Sequence, residues 1–491
     1  MRILLASSEV YPYSKTGGLA DMVGALAKAL AEDGLEVGVV TPLYRGVASS
    51  FPQMRRFGGK IEIPLGASRV QARVHRLEAS ERLTIYFIEQ PGFFERAGLY
   101  QERGEDYPDN VARFIFFSKC VVQLARGLRQ RPEVLHLHDW QTALVPAFVQ
   151  QLLREEEWRN VPRTCLTIHN LAYQGNSRRA DFGLTNLPDD YFNPEGVEFY
   201  GGMSCLKAGI VYADMITTVS PRYAREITTE EFGCGLDGVL RNRLGALIGI
   251  LNGVDYAEWK TEGNPFLPFS YSPRDMQGKT AIKLALQAEL GLPVSVEIPL
   301  FGNVTRLVEQ KGMDALLAAL EEVLVAKMQF VLLGSGAAAF ENAFRDLARR
   351  HPNKVSVRIG YDQPLSHRIE AACDFYLMPS KFEPCGLNQL YSLHYGTVPV
   401  VRATGGLDDS VIDPRESRDQ ATGIKFSEYS PQALAKAIEK ALALYGTPPV
   451  RQHFQRNGMQ TDFSWDRTRK AYVSLYEALL SASPRTIKVP D

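Results

Sequence analysis

Lys15-Thr16-Gly17-Gly18-Leu19-Ala20-Asp21 lies between an apolar run, Ile3 to Ala6, and a segment whose apolar residues recur at helical spacing. A strand passing into a helix through a glycine pair reads as a turn built to receive a phosphate. Glycines allow the backbone to approach a ligand closely because no Cβ stands in the way. A helix opening at about Leu19 directs its leading N–H groups and a partial positive charge into that turn, and Lys15 adds a full charge. An ordinary strand-to-helix turn with a surface lysine would use the same residues. A second, matching site elsewhere in the chain decides between the two readings.

Outward from that turn, residues 21–33 place Met22, Ala25, Leu26, Ala29 and Leu30 on one helical face, with Gly34 at the end. Short apolar runs at 4–6, 37–41, 134–138 and 165–168 alternate with helical segments, which predicts a parallel, doubly wound sheet. The pattern restarts after a proline-bearing, loop-rich stretch at 259–277. Strands are expected at 299–304, 329–333, 355–359, 375–378 and 398–401. Helices are expected at 313–325, 337–350, 364–372, 387–395 and 431–445. The chain therefore reads as α/β, with two Rossmann-like halves and a ligand site beyond the carboxyl ends of the strands. The halves are set at 1–255 and 256–460, with a terminal helix in 461–491.

The 491 residues carry 55 Lys+Arg against 56 Asp+Glu, with no sustained basic block, so nucleic acid is excluded as the expected partner. Six cysteines, with no C-x-x-C pair, suggest neither zinc nor a disulfide framework and fit a reducing cytoplasm. The apolar N-terminal run is too short for a signal peptide, and no run approaches the length of a membrane span.

In the second half, Arg306 and Lys311 follow its first strand. A planar guanidinium and a compact ammonium together suit a diphosphate, although two solvated surface cations would look the same. Glu383-Pro384-Cys385-Gly386-Leu387 joins the 375–378 strand to the next helix. Its carboxylate suits sugar hydroxyls or a developing positive charge, or else complements a helix dipole. Thr404-Gly405-Gly406 repeats the glycine pair. In the first half, His136-Leu137-His138-Asp139-Trp140 and His169-Asn170 end two strands. Their spacing fits no common zinc motif, whereas histidine beside carboxylate binds sugar hydroxyls well. Trp140 reads as a stacking face or a buried ring. No Asp-x-Asp occurs, which argues against a nucleotide held through a divalent cation.

These segments, together with 169–175 (His-Asn-Leu-Ala-Tyr-Gln-Gly) and 251–255 (Leu-Asn-Gly-Val-Asp), resemble the bacterial and plant glycogen/starch synthases over nearly the whole chain. The resemblance implies a GT-B fold, two Rossmann-like domains facing across a deep cleft, with the last helix crossing back to the first. It implies retaining transfer of glucose from a sugar nucleotide, ADP-glucose in this branch, to the non-reducing end of an α-1,4-glucan, with no metal or cofactor. Carried over residue by residue, it gives Glu383, His169, Arg306 and Lys311 the catalytic roles. Lys15, Gly17, Gly18, Asp21, Asn252, Tyr361, Cys385, Gly386, Leu387, Thr404 and Gly405 become donor contacts. His138, Asp139 and Trp140 line the sugar side. Many related retaining enzymes have a second glutamate eight residues after the first, where this chain has Tyr391. UDP-glucose as donor, a pyridoxal-phosphate-dependent phosphorylase and a non-catalytic glucan-binding scaffold are the competing readings.

Overall fold

In a computed structural model, residues 1–102, 104–158 and 160–482 are described. The chain separates into two units: unit 1 comprises 1–219, 224–250 and the chain from Trp465, and unit 2 comprises 220–223 and 251–464.

Unit 1 is built on nine strands: β1 (Arg2–Ala6), β2 (Glu36–Pro42), β3 (Arg55–Leu65), β4 (Ser68–Glu78), β5 (Leu83–Glu89), β6 (Val134–His138), β7 (Arg163–Ile168), β8 (Met215–Thr218) and β9 (Leu247–Gly249). Their order is β9-β8-β7-β6-β1-β2-β5-β4-β3. From β9 to β5 every pairing is parallel, and β4 and β3 continue antiparallel. The central strands are buried on both faces, as parallel strands between helices must be, and are mostly apolar, with His136, His138, Thr164 and Thr167 buried among them. Helix α1 (Gly18–Glu32) follows β1 and buries Met22, Val23, Leu26, Ala27 and Leu30. The sequence reading passed over the antiparallel β3–β4 edge, because Gly58-Gly59-Lys60 and frequent arginines blur its alternation.

In unit 2, six parallel strands run in the order β12-β11-β10-β13-β14-β15. They are β10 (Leu300–Leu307), β11 (Gln329–Gly336), β12 (Val355–Ile359), β13 (Phe375–Met378), β14 (Val398–Arg402) and β15 (Ile424–Phe426). Neighbouring strand residues feed opposite cores. Phe301, Phe330 and Leu332 pack with Leu316, Leu320, Phe344 and Ile438, whereas Leu300, Val331 and Leu333 pack with Ile282, Leu286, Leu365 and Ile369. Helices therefore cover both faces: α2 (Gln277–Glu289), α3 (Met313–Val323) and α4 (Gln363–Ala372) among them. The helices α5 (Asn388–His394) and α6 (Gly405–Ser410) follow β13 and β14, and α7 (Trp465–Ser481) closes the described chain.

Two features differ from the sequence expectation. The loop-rich 259–277 stretch, after which the pattern was expected to restart, is packed into unit 2, whose main segment begins at Leu251: Trp259 is stacked between Tyr391 (3.6 Å between ring centroids) and His367 (4.1 Å). Residues 220–223 also join unit 2, because Ser220 Oγ donates to the Pro384 carbonyl at 2.7 Å and the Arg222 N–H donates to Asp409. Helix α7 packs in unit 1. Arg469 pairs with Asp33 at the end of α1, and the Tyr476 hydroxyl meets His136 Nδ1 at 2.7 Å.

Candidate active site

The carboxyl ends of β10 and β13 bring together the unit 2 residues with chemical potential. Lys311, one turn beyond β10, places Nζ 2.6 Å from Glu383 Oε2, and Ser380 Oγ donates to the same oxygen at 2.9 Å. Glu383 and Ser380 are both buried. The sequence reading overlooked Ser380, although it lies two residues past the end of β13 and only three before Glu383. An ammonium has three donors, so pairing with Glu383 leaves Lys311 two more for an anion. Arg306 is exposed at the end of β10 and makes no ion pair among the described residues. Tyr361 stands 80% exposed on the loop after β12.

The loop from Glu383 to Leu387 is shaped by glycines. Gly405 has a φ of +46°, and an added Cβ would overlap the Glu383 carbonyl oxygen, while one at Gly406 would overlap that of Cys385. The Gly406 N–H donates to the Glu383 and Pro384 carbonyls, both at 3.1 Å. The Thr404-Gly405-Gly406 repeat thus serves a close approach of backbone to backbone and fixes where Glu383 sits. Cys385 is buried, with its thiol pushed up to about 12 by desolvation, which removes it as a nucleophile at neutral pH. Asn252 is also buried, and its Oδ1 has no hydrogen-bond partner among the described residues.

Beneath this loop, Asn388 Nδ2 at the start of α5 bonds to Glu370 Oε1 (3.0 Å), the Tyr376 hydroxyl (2.8 Å) and the Val304 carbonyl (3.1 Å). Ser392 Oγ donates to Glu370 Oε2 at 2.6 Å. Burial pushes the Glu370 carboxyl up to about 8. This network ties the N-terminus of α5 to the strand that carries Arg306. Sequence gave no sign of it, since a glutamate inside a helix ordinarily faces solvent.

In unit 1, Lys15 Nζ lies 2.8 Å from Asp21 Oδ1. Burial raises the Asp21 carboxyl and the Lys15 charge pulls it partly back. Gly17 is extended (φ −161°), and an added Cβ would meet nothing within 4 Å, so neither strain nor internal packing demands glycine there. The phosphate cradle read from the sequence needs one correction. Buried Glu9 accepts the N–H groups of Thr16 and Gly17 as well as the Thr16 hydroxyl, and the Tyr100 hydroxyl donates to it at 2.7 Å. A carboxylate already occupies those donors, leaving Lys15 and the first N–H groups of α1, which no side chain caps. An acid six residues before Lys15 was the available signal.

The histidines form a buried stack. His136 is held by Tyr476 and, through Nε2, by Thr167 Oγ1 at 2.6 Å. His138 Nδ1 lies 3.1 Å from His169 Nε2. Desolvation pushes His136 and His169 down to about 3, and His138 well below its ordinary value. His138 is wholly buried, which corrects the expectation that it lines a sugar site: it reaches outward only through half-buried His169. Asp139, at φ +57°, accepts the His169 N–H at 2.7 Å, and burial raises its carboxyl to about 7. Trp140 is half-buried, edge-on to Phe114 with centroids 5.1 Å apart, and Gly175 packs where any Cβ would overlap its indole.

Two parallel α/β units, one presenting a buried glutamate, a lysine and an arginine at its strand ends, define a glycosyltransferase of the GT-B class. Residues 2–242 match the family "Starch synthase catalytic domain", and residues 293–461 match "Glycosyl transferases group 1". The glycogen synthase of Anaeromyxobacter sp. (strain Fw109-5) is 46% identical over 98% of this chain and 99% of its own. Glycogen synthase 2 of Nitrosococcus oceani is 43% identical over 98% of each. The catalytic domain of starch synthase IV from Arabidopsis thaliana, solved with ADP and acarbose, superposes with a TM-score of 0.88 at 32% identity, covering 98% of this chain and 99% of that one. A sucrose-phosphate synthase from Thermosynechococcus elongatus shares the fold, with a TM-score of 0.63 at 18% identity over 98% of this chain and 100% of its own. The chain belongs to the glycogen/starch synthase family. Among the described residues no helix is long and apolar enough to cross a membrane, and no group of three or more His, Cys, Asp or Glu is placed to hold a metal ion.

Proposed function

We propose that this chain transfers the glucosyl group of ADP-glucose to the non-reducing 4-hydroxyl of an α-1,4-glucan, with retention at the anomeric carbon, in the cytoplasm. The Lys311–Glu383 pair with Ser380 carries this reading. Breaking the anomeric C–O bond leaves negative charge on the diphosphate and positive character on the sugar. Lys311 has donors left for the first, and Glu383, held in place by Ser380, suits the second. Arg306 adds a planar fork for the diphosphate. Lys15 is assigned to the donor and His169 to the glucosyl hydroxyls, while Asp139 fixes the backbone of His169.

Protein cations take the role that a divalent metal has elsewhere, in keeping with the lack of any Asp-x-Asp. Attack on the face from which the diphosphate departs is the favoured route, since among the described residues no second carboxylate is paired with Glu383 in the manner of a retaining glycosidase. ADP as the nucleotide is supported by the relationship to bacterial glycogen synthases and by the ADP-bound plant neighbour. Parallel assays of glucose incorporation into glycogen from ADP-glucose and from UDP-glucose test the reading. A clear preference for ADP-glucose is expected; transfer from UDP-glucose alone overturns the choice of nucleotide, and transfer from neither overturns the activity.

A further inference from the structure

Two neutral imidazoles joined by one hydrogen bond hold a single proton between them. His138 Nδ1 and His169 Nε2 are 3.1 Å apart, and burial keeps both rings neutral near pH 7. Either His138 donates from Nδ1, or His169 donates from Nε2. The far nitrogen of His138 distinguishes the two. His138 Nε2 is buried and has no hydrogen-bond partner among the described residues. The ring beside it, His136 at 4.3 Å, has both nitrogens engaged, by Tyr476 and Thr167. If His138 donates from Nδ1, its Nε2 is a bare lone pair. If His169 donates, His138 must carry a proton on Nε2, a buried N–H with no acceptor. Orphaned buried N–H groups are rarer in folded proteins than under-satisfied acceptors.

We infer that His138 is a positioning residue that donates from Nδ1 to His169 Nε2 and so locks His169 in the tautomer protonated on Nδ1. His169 Nε2 is thereby consumed inside the protein, and its other nitrogen offers a donor, never an acceptor, to a ligand. Asp139 holds the His169 backbone N–H at 2.7 Å, so main chain and ring are fixed independently. The inference rests on the proposed role of His169 at the glucosyl hydroxyls. There a fixed Nδ1–H selects a hydroxyl oxygen that accepts, and sets the direction of the sugar's own hydroxyl protons.

The tautomer is read directly from two-bond ¹H–¹⁵N spectra of the full-length protein labelled at histidine, with His169 assigned through His169→Gln. In the unmodified protein His169 is expected to carry its proton on Nδ1. His138→Asn keeps an N–H donor near the position of Nδ1, whereas His138→Asp offers only an acceptor and draws the His169 proton to Nε2. Turnover with ADP-glucose is expected to fall about 10²-fold in His138→Asp, the scale of losing one oriented donor at the reacting sugar, with the donor KM changed far less. His138→Asn should restore most of that loss. A proton on Nε2 of His169 in the unmodified protein overturns the inference even if no variant folds. Equal losses in the two variants, with melting unchanged, overturn it as well. A protein that transfers no glucose would instead sink the proposed function and leave the spectrum to be judged separately.

Discussion

Lys311 carries the plainest consequence of the unit 2 geometry. Its ammonium both neutralises a buried glutamate and retains donors for an anion. Lys311→Ala removes a preorganised charge from the leaving-group side and leaves Glu383 buried without its cation. Turnover should fall on the order of 10²- to 10³-fold, as measured by initial rates at saturating donor; near-normal turnover refutes the clamp. Ser380→Ala leaves the ion pair in place and deletes one hydrogen bond, so a smaller loss, about tenfold, is expected. Gly405 is a different kind of residue. Its φ of +46° and its contact with the Glu383 carbonyl leave no space for a Cβ, so Gly405→Ala must displace the loop that holds Glu383. Strain on the order of 1–3 kcal/mol is expected in chemical denaturation, with activity falling further than stability. Wild-type turnover in that variant would show that Glu383 does not need this loop position.

At the scale of elements, the histidine stack joins β6, β7 and α7, and its chemistry makes those contacts sensitive to acid. Folded His136 and His169 refuse protons until about pH 3, whereas in the unfolded chain they titrate near 6.5. Between those values the unfolded state binds more protons, so stability is lost as pH falls below 6.5. Asp139 acts in the opposite sense: its folded pKa near 7 lies above the unfolded value, so its contribution grows as pH falls from 7 toward 4 and partly offsets the histidines. Three histidines against one acid leave a net loss. His136→Gln should flatten the slope of the melting temperature between pH 6.5 and 4, whatever it does to the absolute value; an unchanged slope means that His136 does not titrate on unfolding. Strands and helices of this kind were legible in the sequence because parallel strands and amphipathic helices have strong periods. The Lys311, Glu383 and glycine positions were legible because they fall at strand ends. Glu9 and Glu370 were not, because their importance comes from partners distant in sequence: Tyr100 for Glu9, and Asn388 and Ser392 for Glu370; Ser380, whose partner Glu383 is only three residues on, carries no motif of its own. His138 was misread for a related reason: motif position put it at a strand end, and only packing shows that it faces inward.

At the scale of the whole molecule, the units do not follow the order of the chain. Unit 1 runs from the N-terminus to Ile250 with four residues lent to unit 2, and is completed only by the segment that begins at Trp465. That segment supplies buried Tyr472, Leu475, Tyr476 and Leu479, the partner of His136 and the arginine that pairs with Asp33. Removing it would expose one side of α1 and leave His136 Nδ1 without its hydroxyl. The loss of several large buried side chains, at about 1.5–3 kcal/mol each, rivals the entire stability of an ordinary domain. Residues 1–250 expressed alone are therefore expected to be unfolded or aggregated. The same stretch fused through a flexible linker to 465–482 should regain cooperative thermal unfolding and slow amide exchange in β1, β6 and β7. Residues 251–464, which contain both unit 2 cores and the Lys311–Glu383 pair, should fold without either piece. A cooperative transition from residues 1–250 alone would show that α7 is an accessory to unit 1 rather than part of its core.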